Sequence, residues 1–165
     1  MDHHPLNPVF QTLVVDVYCP ADANDDFPVS MHVSKRHGII YLMTKHGLLH
    51  LYDLETGTCI YADRITNATV LVTAEHEATD GVIGVNKKGQ VFSVSIDNQT
   101  IIPYILSTLN NTKLALKLAS RANLPGTSTD DLYVRHFQQL FHNEQYGEAA
   151  KMAATSPNVT PFRLL

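Results

Sequence analysis

The sequence predicts an α+β chain in which the two kinds of structure follow one another. A partial β-propeller of about two blades plus an extra strand comes first, then antiparallel α-hairpins of an α-solenoid. Three observations predict this. Before residue 100 the apolar residues alternate or form short runs, the signature of strands; after it they recur at helical spacing. A strand–turn–strand unit built around Lys45-His46-Gly47 returns around Lys87-Lys88-Gly89. The chain has 165 residues, 44% of them hydrophobic and only 17% charged, which is ample for a core and unlike a disordered segment.

The strands read off in order. Val29, Met31 and Val33 interleave with Ser30, His32 and Ser34, the period of two expected of a half-buried strand. Gly38 to Thr44 is nearly all apolar and suits a strand buried on both faces. Lys45-His46-Gly47 then turns the chain into Leu48 to Asp53, and Glu55-Thr56-Gly57 into Thr58 to Ala62. Thr69 to Thr73, Gly81 to Asn86 and Gln90 to Ile96 repeat the pattern. Gly38 aligns with Gly81 and Gly47 with Gly89, offsets of 43 and 42 residues. A period of about 40 to 45 residues with short strands is that of a propeller blade.

The second half has another rhythm. Ile101, Ile102, Ile105 and Leu109 fall on one helical face, with Pro103 in the first turn, where its missing N–H costs little. Asn110-Asn111-Thr112 ends that helix and caps the next, in which Ala115, Ala119 and Ala122 recur. After Pro125-Gly126, a bulky stripe of Tyr133, Phe137, Leu140 and Phe141 precedes a second stripe of Tyr146, Ala149, Ala150 and Ala153. Small side chains let helices approach closely, so the pair has the layout of one solenoid repeat.

Chemistry-bearing residues are sparse. Twelve basic and sixteen acidic residues give a net charge of −4, and the nine histidines form no basic stripe, so no nucleic-acid partner is expected. Cys19 and Cys59 are too few for a disulfide framework and suggest a reducing compartment; Cys59, in an apolar strand, is expected to be a packed thiol. Met1-Asp2-His3-His4-Pro5 lacks the layout of a signal peptide, and no apolar run approaches the roughly 20 residues that span a bilayer. Glu75-His76-Glu77 is the densest polar cluster, but spacing supplies it no metal or acid–base partner. His46 and His50 are four apart across a turn, which is not the helical spacing of a zinc pair. Asp53-Leu54-Glu55-Thr56-Gly57 is a turn in which the aspartate accepts from the threonine. Such turns occur in quinone-cofactor dehydrogenases, whose repeats dock on tryptophan; this chain contains none. No catalytic residue, cofactor or metal site is expected, and the chain is read as no enzyme.

Longer runs carry a family resemblance. Asn24 to Val29, Leu48 to Tyr61, Thr73 to Thr79, Gly84 to Val91 and Ile101 to Ile105 resemble clathrin heavy chain. The similarity continues through Leu114-Ala115-Leu116, Asn123-Leu124, Tyr146 and Glu148-Ala149-Ala150-Lys151, covering residues 14 to 157 in order. It implies the end of a seven-bladed N-terminal propeller in residues 1–100, and the helical linker with the start of the α-solenoid leg in residues 101–165. Residues 1 to 13 do not lead back into earlier blades, Thr127-Ser128-Thr129 looks like a small insertion, and Phe162 to Leu165 stop where the helical array of the family continues.

What the resemblance implies about function is a non-enzymatic coat scaffold. It would act in intracellular protein transport and clathrin-mediated endocytosis, cytoplasmic and peripheral on coated pits and coated vesicles. Its partners would be adaptor proteins bearing short linear peptides and other clathrin chains, with the membrane reached only through adaptors. The alternative is a stand-alone truncated binding or regulatory protein that engages clathrin partners without assembling a coat. Family adaptors add extended peptides in grooves between blades. The groove available here lies between the 29–62 and 69–97 units, where Lys45, Arg64 and Lys87 are candidates to attract acidic peptide ends. Open blade edges predict self-association or marginal stability of the isolated chain, because natural propellers remove such edges by closing.

Overall fold

A computed structural model of the chain describes residues 12–21, 25–122, 134, 136–138 and 140–155. Its strands are β1 (Pro28–Ser34), β2 (Ile39–Thr44), β3 (Leu48–Asp53), β4 (Cys59–Arg64), β5 (Val70–His76), β6 (Gly81–Asn86) and β7 (Val91–Val94). They form two antiparallel meanders, one of order β1-β2-β3-β4 and one of order β5-β6-β7. The two sheets are the two expected blades. Residues 12–20 have no regular secondary structure. Instead Leu13 and Val15 lie against Gly57, and Tyr18 and Pro20 lie beside Leu48 and His50. The segment makes these contacts through its own side chains and forms no strand ladder, in which Pro20 would lack a donor.

The repeated turns are the same device twice. Gly47 N donates to Thr44 O at 3.1 Å, and Gly89 N donates to Asn86 O at 2.9 Å. Both glycines have positive φ, 84° and 75°, which a β-carbon would disfavour. The residue that opens each turn is buried and folds its side chain back over it. Thr44 Oγ1 accepts from Leu48 N at 2.9 Å; Asn86 Oδ1 accepts from Lys88 N and Gln90 N at 3.0 and 3.1 Å.

One expectation is reversed in β1. Val29 and Met31 are exposed, whereas Ser34 is buried and His32 is half-buried. His32 and Ser34 face the second blade, which offers them partners, while Ser30 Oγ on the same side is buried without one. His32 Nε2 and Thr73 Oγ1 are hydrogen-bonded at 2.9 Å, and Ser34 Oγ donates to the Asp80 carboxylate. His37, also buried, completes a bracket: Nδ1 lies 2.9 Å from Ser34 Oγ and 3.2 Å from Asp80 Oδ2, and Nε2 lies 2.7 Å from Asn98 Oδ1. The bracket ties blade one, the β5–β6 turn and the approach to the helices. A buried polar cluster of this kind is tolerated because each member is paired.

The helices are α1 (Ile101–Ser107), α2 (Thr112–Arg121) and α3 (Tyr146–Thr155), with residues 136–138 and 140–142 also helical. Asn111 caps α2 by accepting from Leu114 N at 3.0 Å, as its position before the alanine series predicts. Ile101, Ile102, Ile105, Leu114, Ala115 and Leu118 enter the same core as Ile39, Tyr41, Met43, Leu49, Val70 and Val82. Strands and first helices therefore share one apolar interior. In the later helical residues Phe137 stacks on Phe141, and Phe141 meets Tyr146 edge-on at 5.1 Å. Ala149 is buried but Ala150 is exposed, so the second alanine stripe is only partly covered. Tyr133 and the segments at 123–130 and 156–165 lie outside the described residues.

The link between blade and helix is an ion pair. Asp53, fully buried, accepts from Thr56 N and Thr56 Oγ1 at 2.8 and 2.7 Å and from the Arg121 guanidinium of α2. Arg121 Nη1 also donates to Gly38 O at 3.3 Å. Gly38 has φ 62°, and a β-carbon there would stand 2.5 Å from the same Nη1, so the guanidinium reaches the turn only over glycine. Burial pushes the Asp53 carboxyl up, but the Arg121 and Thr56 bonds outweigh it and hold it below its ordinary value. Asp26 and Asp80 are lowered in the same way: burial opposes, and bonds from Thr44, and from Ser34 and His37, win.

Removing one partner leaves a buried charge, so Arg121→Ala is expected to cost about 3 kcal/mol in denaturant unfolding. In an Asp53→Asn background the same change should cost far less; additive losses would show that the two are not coupled. Three carboxyls with folded values below 3.8 contribute stability that is present above that pH and lost as pH falls through the lowered values. Thermal unfolding followed from neutral pH downward should therefore show a decline that starts near pH 4. Asp53→Asn should flatten it.

Candidate peptide-binding interface

The junction of the two blades is stitched by the connection between them. Ile65 N donates to Gly47 O, Val70 N to Lys45 O and Lys87 N to Thr69 O, at 2.9, 2.8 and 2.7 Å. Asn86 Nδ2 donates to Thr66 Oγ1 at 2.9 Å. One extended segment thus holds both Lys-bearing turns, and it brings Lys45 and Lys87 to the same end of the sheets. Lys45 is half-buried, with its ammonium 5.2 Å from the centre of the Phe27 ring; Lys87 is exposed.

Arg64 is placed differently. Its Nη1 donates to His46 O at 3.0 Å, and its side chain lines a small cavity with Tyr18, Pro20, Leu48, His50 and Ala62. These residues lie on the side of the first blade turned away from the second. Of the three cations, the fold brings Lys45 and Lys87 to the inter-blade junction and turns Arg64 outward.

A cleft that sequence reasoning missed opens at the outer rim between the blades. Its volume is about 370 Å³. Leu49, Leu51, Tyr61 and Ile65 form one wall, and Val94, Ile96, Ile101 and Tyr104 the other. Tyr61 of β4 and Tyr104 of α1 meet edge-on across it, ring centres 6.1 Å apart. Beside the cleft runs β7, which pairs with β6; among the described residues no strand pairs with its other side. The second sheet stops at three strands because Asp97 starts a helix: its carboxylate accepts from Gln99 N and Thr100 Oγ1, and its carbonyl accepts from Ile101 N. An open edge next to an apolar cleft can take an extended peptide, by backbone hydrogen bonds along β7 and a side chain in the cleft. The only sequence signals were the Ile-rich start of α1 and Tyr61, neither of which identifies a wall before the fold is known.

The other singled-out residues form no second centre. His76 Nδ1 is bonded to Thr79 Oγ1 at 2.8 Å, and Glu75 and Glu77 are exposed. His46 lies in a turn 3.9 Å from Asp26 Oδ1; His50 is buried and stacks on Tyr52, and burial pushes its pKa down. Cys59 is exposed at the start of β4 rather than packed, because the register shift between Leu51 and Tyr52 turns this end of the strand outward. Among the described residues no three His, Cys, Asp or Glu side chains gather into a metal-binding group, and no helix is long and apolar enough to cross a membrane.

Known proteins match this arrangement segment by segment. Residues 63–97 match the clathrin propeller repeat, residues 99–121 the clathrin heavy-chain linker, and residues 123–160 the family described as Clathrin-H-link. The probable clathrin heavy chain of Schizosaccharomyces pombe is 48% identical over 157 residues, 95% of this chain. The clathrin heavy chain of Drosophila melanogaster is 54% identical and human clathrin heavy chain 2 is 50% identical, each over 151 residues and 92% of the chain. The chain spans 9% of the length of each of these relatives. Propeller repeat, linker helices and extended identity in one order place the chain in the clathrin heavy chain family.

Proposed function

We propose that the chain is a non-enzymatic coat-scaffold module, in which residues 1–100 supply the last blades of a clathrin-type propeller and residues 101–165 the helical linker and start of the solenoid. Its work is the docking of short peptides from adaptor proteins, while the shared core carries the position of the blades to the helices. The observation that carries this reading is the open edge of β7 beside the apolar inter-blade cleft. The family membership supports a role in clathrin-mediated endocytosis and intracellular protein transport, in the cytoplasm and peripheral on coated pits and vesicles. The membrane is then reached through adaptors, and other clathrin chains are the assembly partners.

Lys45 and Lys87 stand at one end of the junction and favour a peptide with an acidic end; the side chain entering the cleft beside Tyr61 and Tyr104 is apolar. Arg64 contributes from the outer side only if a peptide passes round β4. The edges of β4 and β7, with which no further strand pairs among the described residues, also favour self-association of the isolated chain. A second reading, a stand-alone regulator that engages clathrin partners without entering a coat, makes the same contacts and differs only in assembly.

Binding of a fluorescent peptide with an apolar residue and an acidic end should weaken roughly tenfold in the double variant Lys45→Glu/Lys87→Glu, and the loss should shrink at high salt. Tyr104→Ala should weaken binding at every salt concentration. Unchanged affinity in both variants would place the peptide elsewhere. Sedimentation of the chain with purified coats then separates the readings: incorporation supports the scaffold, and peptide binding without incorporation supports the regulator.

A further inference from the structure

We propose that two copies of this chain dock head to tail, with the outer face of the second blade of one copy packed on the outer face of the first blade of the next. The proposal rests on the self-association reading above and replaces strand edges by sheet faces as the contact. Its ground is the internal repeat. The turns at Thr44–Leu48 and Asn86–Gln90 are the same structure, 42 residues apart. Adding 42 carries Tyr41, Met43 and Leu49 onto Ile83, Val85 and Val91, and carries Ile40 and Leu42 onto Val82 and Gly84.

The cross-strand register assigns these residues to faces. Tyr41, Met43 and Leu49 lie on the side of the first blade that meets the second, in one core with Val82 and with Phe92 and Val94 packed against it. Ile83, Val85 and Val91 hold the equivalent positions on the side of the second blade that meets nothing among the described residues. Beside them Val72 is paired with Val85 and is 60% exposed, and Val91 is 67% exposed. Conversely, Met31, Val33, Ile40 and Leu42 share the outward side of the first blade, where Met31 is 62% exposed. That side is the repeat equivalent of the surface with which the second blade already packs inside the chain.

Each copy therefore carries both halves of an interface whose geometry it displays internally. A Val72, Ile83, Val85 and Val91 surface meets a Met31, Val33, Ile40 and Leu42 surface. Both are apolar and β-sheet, and neither carries a charged side chain at these positions. Tyr18 and Pro20 lie beside Leu48 and His50 on this face, whereas toward its inner end Met31 is exposed and Val33, Ile40 and Leu42 are half-buried. Because the two patches differ, the contact is heterologous, and copies add in series rather than closing as a symmetric dimer.

Sedimentation velocity of the 165-residue chain over a concentration series tests this, with far-UV circular dichroism to confirm that each variant is folded. Wild-type chain is expected to pass beyond dimer as concentration rises. Met31→Lys blocks one face and Val91→Lys the other; each alone should be monomeric, and an equimolar mixture should form a heterodimer that does not extend. Val72→Lys, at a second exposed position of the same face, should behave as Val91→Lys and stands in for it if that variant fails to fold. Variants that associate as wild type does would assign the contact to strand edges, overturning this proposal and keeping self-association. Folded monomeric variants that do not complement one another would also overturn it. A wild-type chain that stays monomeric at its highest soluble concentration overturns both readings.

Discussion

Asp53 is the residue on which the arrangement of strands and helices depends. It ends β3 inside the protein with its carboxylate out of reach of water, and such a charge is stable only when its lone pairs are occupied. The turn that follows supplies Thr56, and α2 supplies Arg121, so a local sequence motif is completed by a helix 68 residues away. The guanidinium cannot reach the carboxylate without also crossing the Gly38 turn. One cation thereby fixes the end of α2 against two turns of the first blade, and the helix follows the blade as a rigid extension.

The two blades are held by a different balance. Their inner strands meet through the paired polar cluster of Ser34, His37, Asp80 and Asn98, and their outer strands through apolar contact and tyrosines. Polar bonds at the inner end give direction and therefore register; apolar burial at the outer end gives most of the free energy, since it scales with area removed from water. A cleft remains at the rim because the second sheet ends at β7. The place where the fold is least complete is thus the place best suited to receive another chain. The proposed docking of extended peptides requires such an edge, positioned by a core that does not shift.

Much of the fold was legible because it is local. All seven strands and the first two helices lie within a residue or a few of where alternation, turn glycines and caps put them, and Asn111 caps α2 as its spacing requires. The candidate site was legible only in part. Lys45 and Lys87 could be assigned to turns, and the connection at 65–70 brings those turns together; Arg64 could not be oriented, because the side of a sheet it takes depends on the register of β3 with β4. The walls of the cleft were illegible, since Tyr61 and Tyr104 become neighbours only when α1 folds back across the sheet.

The inverted face of β1 shows where sequence reasoning stops. Val29, Met31 and Val33 read as the buried face because apolar side chains leave water when nothing opposes it. In the folded chain Ser34 and His32 take the inward positions, because partners on the second blade repay their desolvation with hydrogen bonds. The amino-acid sequence by itself determined the period, the turns, the caps and the family, all of which are set by neighbours within a few residues or by extended identity. The tertiary structure alone decided which face of each strand is inside, which cations share a junction and where a cleft stays open. Those outcomes depend on pairings between residues distant in sequence, from 18 positions for Ile65 and Gly47 to 68 for Asp53 and Arg121, whose energies no local pattern contains.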